Sequence, residues 1–267
     1  MPLKHEPARV TLDKEPYRFL VYGEFGRRKT TFAGTFPRPL IIDTNGGLLS
    51  LALQGVTPMR WEPEGHEDLE DLFLSIRQQV LSGEDEYDTI VIDTVDNLAM
   101  QLMGEITDSA VEEKVKMGKK PSLRMAYVPE QGDYYAGQRQ MFAFLTKLRK
   151  LGKHIVLISS SRSNKDGTVT GPNVSAGMSQ VLCDFVSVIG EMIILDEDGV
   201  EGETDPEIYV GCGVMLTGES NRRATKSRIP ELTPYIVDPT FDKVDAIITK
   251  ATEAAKAKQT NNNTKGK

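Results

Sequence analysis

The chain's tightest constraint lies in fourteen residues. Tyr17-Arg18-Phe19-Leu20-Val21-Tyr22 runs directly into Gly23-Glu24-Phe25-Gly26-Arg27-Arg28-Lys29-Thr30. An apolar strand, a glycine-bracketed turn and Lys-Thr follow the order of a phosphate-binding loop, G-x-x-x-x-G-K-[ST]. Gly23, Lys29 and Thr30 stand where that pattern needs them, and Arg28 replaces its second glycine. In such a loop the segment Gly23, Glu24, Phe25, Gly26, Arg27, Arg28, Lys29, Thr30 and Thr31 wraps phosphate with backbone N–H groups, and the next helix points its positive end at the anion. Lys29 reaches the outer phosphates and Thr30 holds a magnesium ion. Glycine before the lysine allows backbone conformations closed to other residues. Arg28 must therefore strain or reshape the turn, although its cation still favours an anion. The competing reading is an ordinary glycine-containing strand-to-helix turn.

Length and composition narrow the setting. A chain of 267 residues, 39% of them hydrophobic, suffices for one large α/β domain with a full core. No apolar run approaches a membrane span, and residues 1–7 carry no apolar signal segment, so the cytoplasm is the expected compartment. Cys183 and Cys212 are too few for a disulfide framework, and His5, His66 and His154 are too scattered for a metal site of their own. The net charge of -7 argues against general nucleic-acid adhesion. Basic residues nevertheless cluster at 114–124 and 134–153, and acids at 62–71, 84–88 and 196–207. Such clusters fit either a local anionic partner or solvated helix faces.

The pattern predicts a lead-in over 1–15, a nucleotide-binding domain over 16–250 with a basic helical and loop insertion at about 97–135, and a disordered polar tail over 251–267. Strands are expected at 19–22, 40–43, 89–93 and 154–159, and later at 185–195 and 207–216 around an acidic turn. Helices are expected at 30–35, 68–81, 97–117 and 134–151. Leu69, Leu72, Phe73, Ile76 and Val80 form the inward face of the second helix, and Met141, Phe142, Leu145 and Leu148 that of the last. Alternating strands and helices imply an α/β fold with a doubly wound, mostly parallel sheet and helices on both faces.

Ile90-Val91-Ile92-Asp93 fits the second nucleotide-binding element. The end of this strand lies near the phosphate loop in a parallel sheet, so Asp93 can bind magnesium opposite Thr30. The alternative is an aspartate capping a strand-to-helix turn. The series then continues through Pro39-Leu40-Ile41-Ile42-Asp43-Thr44-Asn45-Gly46-Gly47-Leu48, Tyr87–Thr94 and Leu148–Leu157. In that order the chain resembles the phage-encoded RecA-like P-loop ATPases, a family linked to single-strand annealing and recombination, over about residues 15–240. The resemblance implies a RecA-like P-loop NTPase core, ATP and Mg2+ as cofactors, single-stranded DNA as partner, and a homo-oligomeric ring or filament in a bacterial host's cytoplasm.

The same resemblance marks departures. Members carry a water-polarising glutamate where this chain has Asn45; an amide can orient water but cannot take its proton. Asn45 also reads as a turn residue. Members often place His or Gln near Ser160 to sense the γ-phosphate, and serine is a shorter donor. Residues 162–175 resemble a mobile DNA-contacting loop, or a plain surface loop. Lys226 and Arg228 resemble cations that a neighbouring subunit supplies in trans; they also read as charges protecting a strand edge. Trp61, Tyr134 and Tyr135 are expected in the core rather than stacked on bases.

Lys29, Asn45, Asp93, Lys226 and Arg228 are thus the candidate catalytic set, and Thr30 and Asp93 the candidate metal ligands. The leading expectation is an ATP-binding protein acting on single-stranded DNA with slow hydrolysis. A pseudo-NTPase that serves as an interaction protein is the alternative, and a small-molecule or nucleotide kinase ranks third.

Overall fold

Four apolar runs form the centre of one sheet. A computed structural model describes residues 15–119, 129, 131–165, 167–195, 211–218, 223–232 and 234–265. Its strands are β1 (Arg18–Gly23), β2 (Pro39–Asp43), β3 (Met59–Trp61), β4 (Thr89–Asp93), β5 (His154–Ser163), β6 (Val169–Pro172), β7 (Val188–Ile194), β8 (Gly213–Leu216), β9 (Lys226–Ser227) and β10 (Tyr235–Val237). The sheet order is β10-β8-β7-β1-β5-β4-β2-β3, with β6 beside β5 and β9 beside β7. The strands from β3 to β7 in this order are parallel; β8, β10, β6 and β9 pair antiparallel. A mixed α/β core with a mostly parallel sheet is therefore the architecture. Continuous runs such as Ile90-Val91-Ile92 arise because helices cover both faces of these strands.

The helices are α1 (Lys29–Gly34), α2 (Leu49–Leu53), α3 (His66–Ser82), α4 (Val95–Lys116), α5 (Gln131–Arg149), α6 (Ala176–Phe185) and α7 (Phe241–Lys265). Alternate strand residues feed two cores. Leu20, Ile42, Ile92 and Leu157 pack with Leu69 and Phe73 of α3, Leu98 and Leu102 of α4, Leu145 of α5 and Leu182 of α6. Phe19, Val21, Ile41 and Val156 pack with Phe32 of α1, Leu51 of α2, and Val244 and Ile248 of α7.

Several expectations are corrected. Phe142 is 59% exposed, and the inward face of α5 is Met141, Phe144, Leu145 and Leu148. Tyr134 and Tyr135 are 39% and 60% exposed instead of lying in the core, whereas Trp61 packs partly buried against the core. The stretch 162–175 holds the end of β5 and all of β6, hydrogen-bonded as a hairpin. Residues 176–185 are helix, so the next strand starts at Val188. The helix expected at 97–117 is present as α4, with Leu98, Ala99 and Leu102 in the core; residues 120–128 lie outside the described residues. Helix α7 continues to Lys265, through the span expected to be disordered. Val244 and Ile248 anchor its first turns, and Ala, Lys and Glu beyond them are strong helix formers. The acidic turn at 196–206, Asp166 and Arg222 also lie outside the described residues. Among the described residues, no helix is long and apolar enough to cross a membrane.

Candidate nucleotide site

Strand β1, flanked by β5 and β7, delivers Gly23 to the C-terminal edge of the parallel strands, where ligands bind in sheets of this kind. Gly23 has φ 156°, and a Cβ there would meet the Met192 carbonyl oxygen at 2.4 Å. The loop that follows turns over Gly26 at φ 74°. Glu24 and Arg27 pair across it at 2.8 Å, and Phe25 at its tip is 91% exposed.

Arg28 takes the left-handed conformation, φ 58° and ψ 22°, that glycine would occupy at no cost. The turn is kept and the residue carries the strain. Its guanidinium leaves the loop, donating to Asp238 Oδ1 at 3.2 Å and to the Gly211 carbonyl at 3.1 Å. Arg28 therefore ties the loop to the end of β10 instead of filling the phosphate cradle.

Lys29 Nζ donates to the carbonyl oxygens of Gly23 and Glu24, both at 2.7 Å, and so folds back over the loop. Burial pulls its pKa below the usual lysine value, while Asp93 and Asp96 push it back up. Thr30 Oγ1 donates to Asp93 Oδ2 at 2.7 Å. Thr31 faces away, accepting a long 3.4 Å bond from Gln54. Burial raises the Asp93 carboxyl, the Thr30 hydroxyl lowers it, and Asp43 raises it further. Thr30 and Asp93 present hard oxygen donors, the set that magnesium takes together with phosphate and water oxygens. Among the described residues, no cluster of three His, Cys, Asp or Glu side chains could hold a metal by itself. The donors fit a cation shared with a nucleotide and not a closed protein cage.

Asn45 lies beside this pair but is engaged. Its Nδ2 donates to Thr94 Oγ1 at 3.4 Å, and its Oδ1 accepts from Asn97 Nδ2. Asp43, 3% exposed, accepts from the backbone N–H groups of Asn45 (3.0 Å) and Gly46 (2.8 Å) and from Arg60 Nε (2.7 Å). Gly46 follows at φ 71°, so Asp43 and Asn45 together build a tight turn.

Sequence reasoning missed Asp96. It sits in the first turn of α4, 7% exposed, and accepts from both the N–H and the hydroxyl of Ser160. Ser160 stands opposite Gly23 in the β1–β5 register. The only sequence signal was an acid three residues after Asp93.

Lys226 and Arg228 do not join the loop of their own chain. Lys226 Nζ donates to the Cys183 carbonyl at 2.7 Å, and Arg228 reaches the Asp184 carbonyl at 3.4 Å. They cap the C-terminus of α6, a favourable place for cations. Strand β9, Lys226–Ser227, pairs with Val188 and Ile189 at the start of β7, whereas Gly23 lies at the end of β1.

A loop of this shape on a central parallel strand, with a lysine beside a Thr–Asp pair, defines a P-loop NTPase core. A family model described as AAA domain matches residues 15–229, and the chain belongs to that family of P-loop ATPases. A search of curated proteins gives no match.

Proposed function

We propose that the protein is a RecA-like magnesium-ATP-binding ATPase, phage-encoded, that acts on single-stranded DNA in recombination or replication and hydrolyses ATP slowly. The observation that carries the nucleotide part is the 2.7 Å Thr30–Asp93 bond beside Lys29, with the Arg28 guanidinium directed out of the cradle. When bound, magnesium would neutralise charge developing on the phosphates. Lys29 would bind the outer phosphates, and Thr30 and Asp93 would hold the ion.

Slow turnover follows from Asn45, a neutral amide already committed to Thr94 and Asn97. That observation also favours the rival reading, a pseudo-NTPase that binds ATP as a structural ligand. The DNA part rests on the sequence resemblance and on cations near the β5–β6 hairpin, Arg162 and Lys165. Assembly into a ring or filament in a bacterial cytoplasm, with Lys226 and Arg228 acting on a neighbour's nucleotide, belongs to the same reading.

Phosphate release by the full chain in magnesium-ATP, with and without single-stranded oligonucleotide at low salt, tests this. Slow release together with oligonucleotide retention on filters supports the whole reading. Nucleotide binding with no phosphate release favours the pseudo-NTPase, and no DNA binding with or without ATP removes the recombination role.

A further inference from the structure

We propose that Asp96 is a catalytic residue of this site, the carboxylate that orients the attacking water and takes its proton where Asn45 cannot. The proposal rests on the ATP reading above.

Asp43, Asp93 and Asp96 are the buried acids at the ends of β2 and β4 among the described residues. Asp43 already accepts two backbone N–H groups on Oδ1 and Arg60 Nε on Oδ2. Asp93 is committed to Thr30 and, with nucleotide present, to magnesium. Among the described residues, Asp96 accepts hydrogen bonds from Ser160 alone. Each carboxylate oxygen can accept a second hydrogen bond, so Asp96 keeps a site on both oxygens where Asp43 keeps one, on the oxygen that faces Arg60.

Two observations put it beside the phosphate loop, and a third gives it access to water. Its partner Ser160 is level with Gly23, where the phosphate loop begins. Its charge is felt at both the Lys29 ammonium and the Asp93 carboxyl. It also lines a solvent-open cavity of about 630 Å3 between α4, α5 and α6, with Met100, Met103, Tyr134 and Met178, which gives water a route to the carboxylate. The Ser160 bonds fix the orientation of Asp96, as a positioned base requires.

In the step, the water oxygen bonds to the γ-phosphorus as the bond from that phosphorus to the β–γ bridging oxygen breaks. The bridging oxygen leaves on ADP with the bonding pair. The water proton passes to Asp96, which returns it to the released phosphate.

Asp96→Asn in the full chain is the test, with Asp96→Glu as the variant that keeps a carboxylate. The Asn variant should bind magnesium-ATP within about threefold of wild type by calorimetry and release phosphate about 100-fold more slowly. It should also lose the extra thermal stabilisation that ADP with aluminium fluoride gives over ADP alone, a readout independent of turnover. The Glu variant should keep turnover within about tenfold of wild type. Absence of magnesium-ATP binding by wild type would sink the ATP reading itself. With binding intact, the Asp96 role alone is overturned by any of three results: no hydrolysis by wild type, an Asn variant that turns over within about threefold of wild type, or a Glu variant as slow as the Asn variant. If the Asn variant does not fold, the Glu variant decides by the same threshold.

Discussion

Arg28 and Asp238, 210 residues apart, meet at 3.2 Å, so the residue that breaks the phosphate-loop pattern is held by the far end of the domain. Two small effects oppose each other there. The left-handed backbone costs on the order of 1 kcal/mol, and a half-exposed ion pair contributes under about 1 kcal/mol. Arg28→Gly removes both, so stability should change by no more than about 1 kcal/mol in denaturant titrations. Magnesium-ATP affinity should hold or rise, because the guanidinium lies outside the cradle. A large loss of affinity would mean that Arg28 contacts nucleotide.

Gly23 is constrained more severely. At φ 156°, an added Cβ would meet the backbone carbonyl of Met192 at 2.4 Å, and a backbone atom cannot swing aside. Gly23→Ala should cost about 2 kcal/mol or more and distort the start of the loop. Thermal unfolding measures the first effect and nucleotide titration the second. A substitution as mild as a surface Gly→Ala change would refute the close β1–β7 approach.

Much of this site is readable from the chain, and the unread parts share a cause. The central strands announce themselves because parallel strands covered on both faces are continuously apolar. Lys29, Thr30 and Asp93 follow from a short local pattern and its order. The direction of Arg28 depends on Asp238, and the role of Asp96 on Ser160, 64 residues away. Neither pairing leaves a periodic trace. The two-residue strand β9 and the three-residue strands β3 and β10 are too short to show alternation. On α5, Met141 and Leu145 suit two adjacent helical faces, and only packing shows that Phe144, not Phe142, completes the buried one.

Asp93 sets function against stability. Burial raises its carboxyl above the usual range, so its ionisation is less favourable in the folded protein than in the unfolded chain. Asp93→Asn should raise the melting temperature without nucleotide and lower magnesium-ATP affinity by about tenfold or more. A variant that melts lower and binds ATP normally would contradict this assignment.

Glu191 gives a pH signature away from the loop. It is 4% exposed, and its Oε2 lies 3.1 Å from Arg223 Nε without hydrogen-bond alignment. Burial raises its carboxyl and Arg223 opposes the rise. The folded protein therefore holds this proton more tightly than the unfolded chain. The resulting stability is full below the usual glutamate value and lost as pH rises through the folded value. Relative to wild type, Glu191→Gln should gain stability on going from an acid pH, below the usual glutamate value, to an upper pH near neutrality. Arg223→Ala should cost about 1–2 kcal/mol at the upper pH, the partly exposed arginine reducing the penalty of a stranded buried charge, and less at the lower. Urea titrations at both pH values check the sign; a pH-independent gap between wild type and Glu191→Gln would contradict it.

Calorimetric titration of the full chain with magnesium-ATP, beside Lys29→Ala, tests the central claim most directly. Wild type should bind saturably with about micromolar dissociation constant, weakened about 100-fold or more by the substitution. No binding heat from wild type, or equal affinity in Lys29→Ala, would contradict a nucleotide site at this loop.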